Sequence, residues 1–302
     1  MRITNSMIAA RSKNSLQANL RLVDQLRDDI SSGVRIRKMS DDPVSGSQVL
    51  RAGSSLRAIT QFKRNIESGI GRAGAEEQVL NSLGNVLSRG VELAVQQANA
   101  TATPETRLLA KAEVDSLLSF VADLGNTRFG DEYLFAGDRS TEAPFQDPIP
   151  ATGSVSALSV GGAPVNPSGQ RSFEVGDNKF VTPNHNGTEV FLDTDAIDAL
   201  RALSDALGSN DVTGVRSAVG RLTGANDSVQ GLVGTLGARV NEMETSRDAL
   251  QRMEIELQAF RSELRDTMVD QAMADLVGKQ TLYQAAMSAT SRILGLSLAN
   301  YI

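Results

Sequence analysis

The sequence predicts a mainly α-helical protein with a β-rich insert: long antiparallel, coiled-coil-like helical arms from both termini and a small central β domain. Three observations predict it. Apolar residues recur at alternating spacings of three and four through both ends of the chain, the period of a narrow helical seam. Of eight prolines, six lie between residues 144 and 183, and the other two, Pro43 and Pro104, sit where helices should begin. Between the two proline-poor arms, from about Asp131, the helical period gives way to short β-prone pieces among Gly, Pro, Ser, Thr and Asn.

Taken in order, the first arm runs through Ile3, Met7 and Ile8 to Leu16, Leu20, Val23, Leu26 and Ile30, and Gly33 is its expected C-terminal cap. Val34 to Ser40 reads as a short extended connector. Asp41 or Asp42 is placed to cap a second helix with Pro43 in its first position. That helix keeps its stripe from Leu56 and Ile59 to Ala94 and Ala98, and would extend roughly 80 Å at 1.5 Å per residue. Thr103 caps a third helix opened by Pro104.

Tyr133 to Ala136, Val155 to Val160, Phe173 to Val175 and Lys179 to Val181 are the strand candidates of the insert. Helix returns near Asp195, and glycines between Gly214 and Gly237 dilute the helix that follows. The last arm is the strongest seam: Leu250, Met253, Leu257, Phe260 and Leu264, then Leu276, Tyr283 and Met287. A seam this long needs a partner helix of similar length. The expected segments are 1–33, an N-terminal assembly helix; 34–130, the first part of a helical rod; 131–193, a projecting insert; 194–267, the second part of the rod; and 268–302, a C-terminal assembly helix.

Composition narrows the chemistry. With no cysteine, no tryptophan and one histidine, thiolate metal sites, disulfides and multi-histidine clusters are excluded. His185 sits in Pro183-Asn184-His185-Asn186-Gly187, and a turn of this kind reads as an exposed loop rather than a catalytic base. Asp193, Asp195 and Asp198 lack the glycine and glutamate of a calcium loop and read as charge at a helix start. No catalytic, cofactor or metal site is expected. The basic residues of the first forty positions lack interleaved aromatics, so nucleic acid is not an expected partner. Neither a cleavable signal nor an apolar run long enough to span a bilayer is read in the sequence.

Several stretches together resemble the flagellin superfamily. Ser31-Ser32-Gly33-Val34-Arg35-Ile36 followed by Ser40-Asp41-Asp42-Pro43 is similar to its N-terminal signature. Ser291 to Ile302, preceded by Gln280-Thr281-Leu282-Tyr283-Gln284-Ala285, is similar to its C-terminal one. Within the superfamily, Met1-Arg2-Ile3-Thr4 and Tyr133-Leu134-Phe135-Ala136-Gly137 resemble the hook-associated junction branch, with filament-forming flagellin as the alternative. Arg37-Lys38-Met39, Gly295 and Asn300 depart from the family pattern.

The resemblance implies a structural protein outside the bacterial cell, exported through the flagellar type III channel without a cleaved signal. It implies a ring of identical subunits joining hook-associated protein 1 to flagellin. The filament cap and a cytoplasmic export chaperone would be transient partners. The residues expected at the assembly interface are Leu16, Leu20, Val23, Ile30, Leu257, Phe260, Leu264, Tyr283, Leu296 and Leu298, with Gly33, Asp41, Asp42 and Pro43 forming the connector. Both arms are expected to be incomplete until neighbouring subunits cover their seams.

Overall fold

A computed structural model describes residues 5–99, 102–137, 140–145, 159–160, 163–164 and 169–299. The chain is mainly helical. Six helices are α1 (Asn5–Ser32), α2 (Pro43–Gln97), α3 (Pro104–Gly125), α4 (Ala196–Gly208), α5 (Val212–Arg265) and α6 (Val269–Ala299). Among the described residues between α3 and α4 lie six short strands, β1 (Arg128–Phe129), β2 (Glu132–Tyr133), β3 (Ser159–Val160), β4 (Ala163–Pro164), β5 (Phe173–Gly176) and β6 (Lys179–Val181). Consecutive strands pair as three antiparallel two-stranded hairpins.

Local chemistry accounts for the helix ends. Gly33 adopts φ +68°, a left-handed conformation that a side chain would strain, so α1 stops at Ser32. The Ser45 N–H donates to Asp42 Oδ1 at 3.1 Å, so Asp42 caps α2 and Pro43 takes the first position, where a missing N–H costs nothing. Thr103 and Thr106 exchange side-chain-to-backbone hydrogen bonds of 3.3 and 3.0 Å across the start of α3.

The chain divides into two compact units. Unit one comprises Met1–Ala58 and Met253–Ile302; unit two comprises Ile59–Arg252. The cuts fall inside α2 and α5, away from the segment boundaries expected from the sequence.

Unit two holds the continuous core. Its α2 and α5 portions run antiparallel, with Gly69 against Met243 and Gly90 against Leu222. Leu80, Leu83, Leu87, Leu200, Leu203 and Leu222 are fully buried. Each contributes about 1.5–3 kcal/mol through the apolar surface it removes from water. Of the glycines diluting α5, Gly214 packs tightly against Asp211 and Ala206, while Gly220, Gly224, Gly231, Gly234 and Gly237 face open space.

Described residues of 131–193 contribute to this core. Leu134, Phe135, Phe145, Val175, Val181, Val190 and Phe191 enter the core shared with α2, α4 and α5. Phe191, in a single π-helical turn at Thr188–Leu192, meets Phe135 and Phe145 edge-on at centroid distances of 5.2 and 5.1 Å. A side chain at Gly125 would stand 2.4 Å from the Phe145 ring, so glycine lets the end of α3 approach it. The Asn126 amide then brackets the Phe145 backbone at 2.9 and 3.0 Å. Hairpin β5–β6 is tied to α2 by Asn65 Nδ2 donating to the Glu174 carbonyl, 2.8 Å, and to α5 by Lys179 with Glu242, 3.2 Å.

The expectation of an exposed His185 is overturned. Its residue is 3 % exposed and its partner Glu76, on α2, is 0 % exposed. The His185 N–H donates to both Glu76 carboxylate oxygens at 3.0 and 3.2 Å, and Nδ1 lies 2.6 Å from Oε1. On the other ring edge Nε2 lies 2.9 Å from Thr235 Oγ1 of α5, whose hydroxyl donates to the Leu232 carbonyl. The polar turn Pro183 to Gly187 is therefore pinned between two helices, and a buried carboxylate opposite the ring is what makes its burial tolerable.

Asp195 likewise departs from a simple capping role. It has φ +63° and makes no side-chain cap, and both its oxygens instead bind Arg221 at 2.6 and 2.8 Å.

Candidate assembly interface

Unit one is built from α1, α6, the first turns of α2 and the last turns of α5. Helices α1 and α6 pack antiparallel: Leu16 and Leu20 share a groove of about 360 Å³ with Tyr283, Met287 and Thr290, while Leu26 and Asp29 line a hollow with Met268, Gln271, Ala272 and Asp275.

The turns joining these helices are laced together. The α1–α2 connector and the α5–α6 break form an antiparallel bridge, Val34 with Asp266. The Arg35 N–H donates to the Arg265 carbonyl at 2.8 Å, and the Thr267 N–H donates to the Gly33 carbonyl at 2.9 Å. Arg35 Nη2 reaches the Leu264 carbonyl at 2.8 Å, and Thr267 Oγ1 donates to the Asp29 carbonyl at 3.1 Å. No proline or glycine breaks the helix between Arg265 and Val269. The carbonyls and amides that would continue the α5 ladder are taken up by the connector instead.

Within the connector, Asp41 Oδ2 accepts the N–H groups of Lys38 and Arg37 at 2.8 and 3.1 Å. The Lys38 and Arg37 amides hold its carboxyl below the usual aspartate range. The Asp42 carboxyl is lowered too, chiefly by the Ser45 hydroxyl and then by the Ser45 amide. A lowered carboxylate stabilises the fold above the unfolded pKa, and that contribution is lost as pH falls through the folded value. Amide exchange at Arg37, Lys38 and Ser45 is therefore expected to stay slow at neutral pH. It should accelerate, relative to the core of unit two, below about pH 4. Protection unchanged down to pH 2 would contradict the arrangement.

The sequence-selected interface residues fall into three groups. Val23 is buried at 4 % exposure, and Leu16, Ile30, Leu257, Leu264 and Tyr283 are half-buried. Leu20 and Phe260 are exposed. Leu296 and Leu298 lie in α6 beyond its described side chains, and Met1 to Thr4, Tyr301 and Ile302 lie outside the described residues. The structure brings Leu16 and Leu20 together with Tyr283; Leu257, Phe260 and Leu264 lie on α5.

Helix α6 carries a second apolar line, of which the sequence reading picked out Met287 alone. Ala272, Leu276, Tyr283 and Thr290 follow one azimuth and are buried or half-buried. Val269, Met273, Val277 and Met287 follow a neighbouring azimuth and remain exposed, Val277 at 63 %. Their spacing of four, four and ten was the available signal. The contrast between units is sharp: among described residues, the buried hydrophobics of unit one are Val23, Ile36, Ala52, Leu56 and Ala272. Its exposed ones include Leu22, Leu50, Met253, Ile255 and Leu282 besides those just named.

Among the described residues no group of three or more His, Cys, Asp or Glu is placed to hold a metal ion. Among these residues, too, no helix is long and apolar enough to cross a membrane.

Against this geometry, residues 3–140 match the family model of the bacterial flagellin N-terminal helical region. A flagellar filament 30.7 kDa core protein of Treponema maltophilum is 26% identical over 294 residues, 93% of this chain and 94% of that protein. A flagellin of Salmonella typhimurium is 29% identical over 139 residues, 46% of this chain but only 28% of that protein. The first 140 residues thus resemble the helical region that opens bacterial flagellins, and nearly the whole chain is similar to a filament core protein.

Among solved structures, the fold is that of hook-associated proteins. A flagellar hook-associated protein-3 of Legionella pneumophila aligns over 72% of this chain and 98% of its own, with a TM-score of 0.61 at 15% identity. A flagellar junction protein FlgL of the same organism aligns over 72% of this chain and 100% of its own, with a TM-score of 0.55 at 16% identity. At these identities the likeness establishes architecture.

Proposed function

We propose that the chain is a structural subunit of the bacterial flagellum that joins the hook-associated region to the filament, and that it has no catalytic role. The observation that carries the reading is the uncovered apolar line of α6 beside its α1-facing line. One chain leaves Val269, Met273, Val277 and Met287 exposed, and an exposed line of this kind is stabilised when another subunit covers it.

Segments 1–33 and 268–302 act as the assembly helices, with Leu16, Leu20, Val23, Ile30, Leu257, Phe260, Leu264, Tyr283, Leu296 and Leu298 divided between intrachain packing and contacts with neighbours. The laced connectors around Gly33, Asp41, Asp42 and Pro43 fix the angle at which the two helices leave the unit. Identical copies, hook-associated protein 1 and flagellin are the lasting partners; the cap and an export chaperone are transient ones. The site of action is outside the cell, reached by type III export without a cleaved signal.

The near full-length similarity to the Treponema filament core protein favours a second reading, a filament-forming flagellin. Immunogold labelling of intact flagella separates the two. Gold confined to a band between hook and filament supports the junction. Gold along the whole filament, with long polymers from purified protein, supports the filament reading. Absence of the protein from sheared flagella would overturn both.

A further inference from the structure

A second groove of unit one lies where the connector meets the first turns of α2 and the last turns of α5, and encloses about 560 Å³. Its apolar lining includes Met39 and Leu50, both exposed. Around it stand Lys38, Arg57, Arg261 and Arg265. Among the described residues none of these four cations has a carboxylate within ion-pair distance.

Unit two carries a surface of opposite character. On α3, Leu109 is 74 % exposed and Phe120 47 % exposed, eleven residues apart and so close to one azimuth. Ala112 and Ser116, small and exposed, lie between them. Glu105 and Asp123 bracket this face, five turns apart on the same line, exposed and without a cationic partner among the described residues.

We infer that the groove of one copy receives the acidic, apolar face of α3 from a second copy. Charge selects this pairing. Groove against groove would set four cations against four, and α3 against α3 would set acid against acid; only the crossed pairing opposes unlike charges while covering Leu109 and Leu50. Because the two patches differ, the contact is heterologous: each subunit offers one patch and accepts the other, so the assembly grows directionally and closes into a ring or continues as a helix. The inference rests on the self-assembly reading and specifies where that assembly is made.

The cysteine-free sequence makes the test direct. Full-length Leu50→Cys and Leu109→Cys chains, mixed under mild oxidation, are expected to give at least tenfold more disulfide-linked dimer than either alone, or than Leu50→Cys mixed with Phe180→Cys. Arg57→Glu with Arg261→Glu on the Leu50→Cys chain should lower that yield. Glu105→Lys with Asp123→Lys on the Leu109→Cys chain should restore it. Sedimentation of the unmodified chain is run in parallel. If that chain self-associates and the mixed pair links no better than the controls, or reversal gives no restoration, the groove contact is overturned while assembly stands. If the unmodified chain stays monomeric at every concentration, the assembly reading falls and the groove contact with it.

Discussion

Deleting residues 268–302 is expected to abolish self-association while leaving unit two folded. The deletion removes α6, and with it both the cover over Leu16, Leu20 and Val23 of α1 and the exposed line of Val269, Met273, Val277 and Met287. Each apolar side chain left uncovered forfeits about 1.5–3 kcal/mol, and every 1.4 kcal/mol is about tenfold in affinity, so the loss of several leaves no measurable assembly. Unit two keeps its core, because among the described residues that core runs from Ile66 to Met243, with Leu250 packed against it, all within unit two. Sedimentation velocity and thermal melting by circular dichroism check both halves. A point variant separates assembly from folding: Met273→Asp with Val277→Asp alters side chains already exposed, so melting should shift little while association weakens about tenfold or more. Assembly undiminished in the deletion would sink the assigned role of α6.

Replacing Glu76 with alanine should produce the largest loss of stability from a single substitution away from the leucine core. The carboxylate is wholly buried and holds both the backbone N–H and Nδ1 of His185. Removing one partner of a buried ionic or hydrogen-bonded pair costs about 3–5 kcal/mol, since the other is left without compensation. For a unit of this size each kcal/mol moves the melting temperature by about 2–4 °C, so a fall of roughly 6–20 °C is expected. Glu76→Leu combined with His185→Leu should recover part of that loss, because it removes the unpaired imidazole, while the backbone N–H at position 185 still lacks its acceptor. A shift under 2 °C for Glu76→Ala would show that the contact is not what holds the loop.

The two variants act on links of different kinds. The first removes surface that awaits another molecule; the second removes a contact that closes one chain on itself. Their effects should add, because among the described residues no member of the core of unit two belongs to α1 or α6.

Much of the fold is legible in the amino-acid sequence. Pro43 and Pro104 mark the first residues of α2 and α3, Gly33 ends α1, and Thr103 caps α3, each through chemistry confined to a few neighbouring residues. The strands expected in the insert coincide in part with β1–β6, but Leu134 to Ala136 form a turn rather than a strand. The three phenylalanines that draw the insert into the core lie at positions 135, 145 and 191, with no periodicity to announce them. His185 misleads for a related reason. Its turn composition reports local conformation correctly, while the carboxylate that permits burial is 109 residues earlier in the chain.

By itself, then, the sequence determined helix positions, their ends and the narrow seams of the arms, because period and capping act within one or two turns. Tertiary structure alone decided that α5 stops at Arg265, where the connector takes its carbonyls and amides. It also decided which line of α6 faces α1 and which stays open, and that a polar loop closes over Glu76. Those outcomes depend on which distant groups arrive to satisfy a hydrogen bond or cover a methyl group, and no local pattern encodes that arrival.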